Sequence, residues 1–288
     1  MIGPLALAAS VLFTLGDPGA QLLAPREAVF PFDDERRLLR GDHGAGKLWR
    51  SHRLPTDGAA VPLLVFVHGI VFDGRKHHWL TDDPSGPWDA RPILERLVDD
   101  GVVAPLVAAV PSQTRDATDP TRLFLDFDFD AFVDAVDAQL APEQRVDRRR
   151  VIVVGHSAAA CDPRAAAFAA LGAKRVHLRA LFAIDGCLSV ESAELLATTS
   201  GADHVVVAYE TWAWERSFDA FVQAWSAARA TSLAPGSHVL EVADFPSENL
   251  HLEIVGRTLE KWLPSLLPPA PPPALELPLS IAGLDGAF

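Results

Sequence analysis

The stretch VIVVGHSAAAC, residues 151–161, runs from four branched apolar residues through Gly155, His156 and Ser157 into a row of alanines. Four such residues in succession fit a strand buried on both faces. A serine where that strand ends, with small residues on both sides, suits a sharp turn from strand to helix, because the turn is strained and the two backbones approach closely there. Gly155, Ala158 and Ala159 meet that need. The spacing predicts a helix near 158–171. Its free N–H groups and the positive end of its dipole would face Ser157 and stabilise an oxyanion formed by attack on a carbonyl.

Outward from this turn, short β-rich runs alternate with amphipathic stretches, the pattern of a mostly parallel sheet covered by helices on both faces. The strands expected are VPLLVFVHG (61–69), VVAPLVAAV (102–110), VIVVG (151–155), RALFAID (179–185), HVVVAYE (204–210) and HVLEVAD (238–244). Helices are expected near 89–99, 129–140, 158–171, 215–229 and 250–262. The second shows its period well: Phe129, Phe132, Val133, Val136 and Leu140 share a stripe while Asp130, Asp134 and Asp137 face away. DFDFD at 126–130 lacks the glycine and glutamate of a calcium loop, and Asp128 or Asp130 there is a helix cap. No unit of 20 to 50 residues repeats, which excludes a solenoid.

GHSAA after an apolar strand resembles the nucleophile elbow G-x-S-x-G of the α/β-hydrolase superfamily, and VFVHG resembles the strand and His-Gly turn that supplies the other half of its oxyanion hole. The resemblance runs in element order from about residue 45 to 262, and departs from the motif at Ala159, where the family usually has glycine. It implies Ser157 as nucleophile and the backbone N–H groups of Ala158 and Ile70 as oxyanion donors, with Val71 the substitute for Ile70. The family's order of nucleophile, acid, histidine then selects His251, at the start of the last helix. His204 and His238 begin their strands and fall at the opposite edge. His68 is expected to shape the oxyanion turn, and His156 the elbow.

Two carboxylates compete as the acid. Asp185 ends the strand after the nucleophile and is followed by Gly186; Glu210 ends the next strand, nearer to where most family members carry the acid. Both lie at the edge where ligands bind in such folds. Asp185 is preferred because a short carboxylate at a strand end suits a fixed hydrogen bond to an imidazole, with Glu210 the alternative. Cys161 and Cys187 fall near each other on this topology and could form a disulfide between the nucleophile turn and the acid loop. No metal site is expected: C-x-x-C is absent, and His77–His78 lacks a third ligand at a recognisable distance. Trp79 and Trp88, after VFVHG, and Trp212 and Trp214, after Glu210, are placed to line an aromatic acyl or alcohol pocket. The short connection after Asp185 leaves no room for a large cap.

The ends read differently from the middle. Residues 1–24 contain an apolar stretch from Leu5 to Leu15, long enough for a signal-peptide core and too short to span a bilayer, although no Lys or Arg precedes it. They are a signal peptide or an N-terminal extension, and a secreted or periplasmic protein is slightly favoured over a cytoplasmic one. A catalytic domain over 25–263 and a proline-rich tail over 264–288 complete the chain. A net charge of −13, from 38 acidic against 25 basic side chains in 288 residues, opposes binding to nucleic acid or anionic lipid surfaces. The resemblance implies a carboxylesterase-like serine hydrolase needing no cofactor and acting on a small-molecule or lipid-like ester. The alternatives are an amidase or acyltransferase with the same triad, or a catalytically silent binding protein of the same fold.

Overall fold

The computed structural model describes residues 26–32, 45–70, 77, 79–81, 89–111, 123–125, 127–211, 217–247 and 249–269. Among these residues eight strands form one sheet: β1 (Glu27–Pro31), β2 (Ala45–Arg50), β3 (Ala60–Val67), β4 (Val107–Pro111), β5 (Arg145–His156), β6 (Leu178–Ile184), β7 (Ala202–Tyr209) and β8 (Ser237–Val242). Their spatial order is β1-β2-β4-β3-β5-β6-β7-β8. β2 runs antiparallel to both β1 and β4, and every pair from β4 onward is parallel. Five α-helices connect them: α1 (Arg91–Asp99), α2 (Phe129–Asp137), α3 (Val190–Thr198), α4 (Asp219–Thr231) and α5 (Leu250–Leu266).

The apolar runs of the central strands bury both faces. On β3, Leu63, Val65 and Val67 face one core with α2, α3 and α4, while Leu64 and Phe66 face the other with α1 and α5. On β5, Val151 and Val153 alternate with Ile152 and Val154 in the same way, as the two-residue period of a strand requires. Helix α2 turns the stripe Phe129, Phe132, Val133 and Val136 inward, and the Asp128 side chain caps it by accepting from the Ala131 N–H at 2.9 Å. Asp130 instead accepts from the backbone N–H groups of Lys174 and Arg175 at 2.7 and 3.0 Å.

Several elements depart from expectation. The edge strand β1, its neighbour β2 and the nine-residue α3 were not legible as such, and β5 begins six residues earlier than its apolar run because RVDRRR pairs with the start of β3. The expected helix at 158–171 is two short 3-10 helices, Ser157–Ala160 and Ala166–Gly172. Pro163 between them has no N–H to donate and disfavours helical geometry at Asp162. Helix α5 passes Pro264 and ends at Leu266, inside the expected tail, held by the buried Leu263, Leu266 and Leu267. The Leu267 carbonyl also accepts from the Ala104 N–H at 2.8 Å. Residues 1–25 and 270–288 lie outside the described residues.

Because β3, β5, β6 and β7 are parallel, their C-terminal ends reach one edge. Val67 pairs with Gly155, His156 with Ile184, and Ile184 with Ala208. The residues that follow these strands, Gly69, Ser157, Asp185 and Glu210, are therefore brought to that edge.

Candidate active site

Ser157 has φ +59°, the left-handed conformation that a non-glycine residue adopts only under constraint from its surroundings. Close packing supplies the constraint. A Cβ on Gly155 would come within 2.5 Å of the Ala167 Cβ, so strand and helix can touch there only through a glycine. A Cβ on Gly69 would lie 2.7 Å from the Ser157 Cβ and 2.8 Å from the Ala158 nitrogen. The His68–Gly69–Ile70 turn thus lies directly against Ser157 and Ala158. His68 is fully buried and donates from Nδ1 to the Gly69 carbonyl at 2.8 Å, which fixes the turn. Ala159, where the motif has glycine, is accommodated in the core.

His251 stands in the first turn of α5, and its Nδ1 hydrogen-bonds the Asp185 Oδ2. With a carboxylate as acceptor, Nδ1 carries the proton, and Nε2 keeps a lone pair that can take one. Asp185 is fully buried, with φ +47°. Its own N–H donates to the Ala208 carbonyl at 2.7 Å, and its Oδ1 accepts from the Glu210 N–H at 3.3 Å. A carboxylate out of water needs such donors, and the Asp185 carboxylate has one on each oxygen. His156, the residue before Ser157, lies beside His251 with ring centroids 4.4 Å apart, and its Nε2 donates to the His251 carbonyl at 2.8 Å. Strand β5 therefore positions both Ser157 and the helix that carries His251.

Glu210 joins the same group: donor atoms of Asp185, Glu210 and His251 all lie within 4.8 Å of one another. Burial and the neighbouring Asp185 carboxylate push the Glu210 carboxyl up to about 7, against the opposing pull of His251. Both carboxylates that the sequence offered are thus present, with Asp185 holding the imidazole. These three side chains could ligate a metal only if the Nδ1 proton of His251 were displaced. A second set, His52, Glu95 and Asp99, is already occupied by cations: Arg26 pairs with Glu95 at 2.7 Å and Arg53 with Asp99 at 3.4 Å.

A disulfide joins Cys161 to Cys187, tying the turn after Ser157 to the turn after Asp185. Gly186 lets these turns meet, since a Cβ there would stand 2.4 Å from the Ala160 carbonyl oxygen. The chain turns here at Asp185, with its positive φ, and not at Gly186.

One further expectation is corrected. The 3-10 helix after Ser157 spans four residues, too short for an appreciable dipole, so any oxyanion stabilisation there rests on individual N–H groups. Trp79 is 2% exposed, stacks on Phe66 at 5.8 Å and meets the His156 ring edge-on at 5.3 Å. It also borders a pocket shared with Asp89, Ile93, Asn249, Leu252 and Glu253. Val71, Trp88, Trp212 and Trp214 lie outside the described residues. Gly69 was missed as a site residue; its signal was the His-Gly pair that ends VFVHG.

No protein-family model matches the chain, and no curated protein does. Among solved structures it is similar to a ferulic acid esterase, at 12% identity and a TM-score of 0.55 over 84% of this chain and 98% of that one. It is also similar to an S-formylglutathione hydrolase from Agrobacterium tumefaciens, at 11% identity and a TM-score of 0.52 over 84% and 95%. Identities this low speak to architecture alone, and they agree with the strand order, the antiparallel β2 and the turn at Ser157: the chain has the α/β-hydrolase fold.

Proposed function

We propose that the protein is a serine hydrolase that cleaves carboxylic esters through an acyl-enzyme on Ser157. The observation that carries this reading is the His251–Asp185 hydrogen bond, assembled at the sheet edge where Ser157 is held at positive φ. In this reading Ser157 Oγ attacks the ester carbonyl as His251 Nε2 takes its proton. Asp185 keeps the proton on Nδ1 and offsets the charge of the imidazolium. The N–H groups of Ala158 and Ile70 hold the oxyanion, and His251 returns the proton to the departing alkoxide. Water, deprotonated by the same Nε2, then attacks the acyl-enzyme and releases the acid.

The connection from β6 to β7 carries only α3, so no large cap covers the edge from that side, which suits small or extended esters. The disulfide supports a working location outside reducing compartments. Turnover of short-chain p-nitrophenyl esters tests the reading. Wild type is expected to turn them over, with Ser157→Ala and His251→Ala falling to background. Undiminished turnover by Ser157→Ala would overturn it.

A further inference from the structure

The ends of β6 and β7 place two acids side by side. Neighbouring parallel strands lie roughly 4.8 Å apart, Ile184 pairs with Ala208, and the Glu210 N–H reaches the Asp185 Oδ1 at 3.3 Å. Two carboxylates at such separation do not ionise independently, because the second charge must form against the first. The groups that face them come from three elements: Asp185 itself after β6, His251 from α5, and His156 from the end of β5 acting through the His251 backbone and ring. On the remaining side, past β8, Ala243 donates its N–H to the Tyr209 carbonyl at 2.7 Å. Among the described residues neither carboxylate forms an ion pair with Lys or Arg. His251 is the cation that matches them, once it is protonated.

Taking Ser157, His251 and Asp185 in the roles proposed above, we infer that Glu210 is a second acid behind His251, a positioning residue that shares one proton with Asp185 and can hold the imidazole when Asp185 is removed. In the protonated pair the Glu210 O–H donates to Asp185. On ionisation that proton leaves to solvent, and two negative charges then stand behind His251, favouring the imidazolium formed as Ser157 attacks. The raised position of Glu210 agrees with this sharing. Kinetically, the rising limb of the pH profile carries a carboxyl ionisation of the coupled group.

Two readouts test it. The first is carboxyl 13C NMR of protein labelled at the glutamate side-chain carbonyl, with Glu210→Gln to identify the resonance. It is expected to titrate near neutrality and to move toward the ordinary glutamate range in Asp185→Ala; titration in the ordinary range in wild type would overturn the inference. The second is kcat/KM from pH 5 to 9 on p-nitrophenyl acetate. Loss of the orienting acid of a Ser-His-Asp triad costs about 10⁴-fold. With Glu210 standing in, Asp185→Ala is expected to retain turnover at least tenfold above the Asp185→Ala/Glu210→Gln double variant. Glu210→Gln alone should lose the carboxyl step from the profile and lower kcat above pH 7 more than KM changes. Equal single and double variants, or a Glu210→Gln profile superimposing on wild type, would overturn the inference. Asn tolerates positive φ, so Asp185→Asn replaces Asp185→Ala should the latter not fold. Turnover retained by Ser157→Ala would count against the hydrolase reading alone, and the titration would then decide the carboxyl pairing by itself.

Discussion

Replacing Gly69 by alanine adds one methyl group at the point where the two halves of the site touch. The backbone at Gly69 needs no positive φ, so the effect is purely steric. The new Cβ would stand 2.7 Å from the Ser157 Cβ, 2.8 Å from the Ala158 nitrogen and 2.9 Å from the Ser157 Oγ. Carbon–carbon contacts are optimal near ~3.5–4.0 Å, so the two turns must separate by about 1 Å. Ser157 cannot swing away freely, because its φ of +59° is set by packing at Gly155 and by the disulfide four residues on. Separation moves the Ala158 N–H from its place, and loss of one oxyanion donor costs on the order of 10²–10³ in kcat. A 1 Å misplacement alone is worth roughly 10²-fold. Gly69→Ala is therefore expected to lower kcat on p-nitrophenyl acetate by at least 10², with an overpacking cost to stability of about 1–3 kcal/mol. Urea denaturation alongside the kinetics separates the two effects. A folded variant with kcat within threefold of wild type would refute the close approach of the two turns.

Three other outcomes are expected. Breaking the Cys161–Cys187 bridge, by reduction or by Cys161→Ala/Cys187→Ala, releases a loop with a sequence separation of 26. By loop entropy this costs about 3.5 kcal/mol; an unchanged urea midpoint would contradict it. Glu210 is pushed from its ordinary 4.5 up to about 7, so the folded chain keeps a proton that the unfolded chain has lost between those values. Stability from this group is present at low pH and lost as pH rises through that window. Glu210→Gln should therefore melt higher than wild type above pH 7 and converge with it below pH 4.5, and a constant offset in Tm across pH would refute the cause. His156→Phe removes the donor to the His251 carbonyl. It is expected to cost about 0.5–1.5 kcal/mol and to reduce kcat more than it alters KM, so a variant that loses stability alone would restrict His156 to a structural part.

The central strands were legible because burial on both faces leaves an unbroken apolar run, as in VPLLVFV and VIVV, and this composition survives whatever the neighbours do. β1 and β2 were not. EAVFP and AGKLWR are short and mix charge with bulk, and their strand character comes from antiparallel pairing with each other and with β4. Even Lys47 of β2 is buried, with its Nζ on Glu27 of β1 at 3.0 Å, a pairing visible only once the strands are together. The alanine row after Ser157 shows the reverse failure. Its helix propensity is high, yet Pro163 and the packing of Gly155 and Gly186 against that segment break it into 3-10 turns. At the site, strand ends predicted which residues would converge, since parallel strands deliver their termini to one edge. Whether Asp185 or Glu210 would hold the imidazole was a matter of a few ångströms, decided by the positive φ at Asp185 and by its bonds to the Ala208 carbonyl and from the Glu210 N–H.

The most direct test of an activated serine is intact mass after exposure to a fluorophosphonate, which bonds only to a hydroxyl whose proton a neighbouring base can take. A single adduct on folded wild-type protein, absent from Ser157→Ala and sharply reduced in His251→Ala, is the expected result. An adduct of equal extent on Ser157→Ala, or none on folded wild type, would contradict the assignment of Ser157 as the nucleophile.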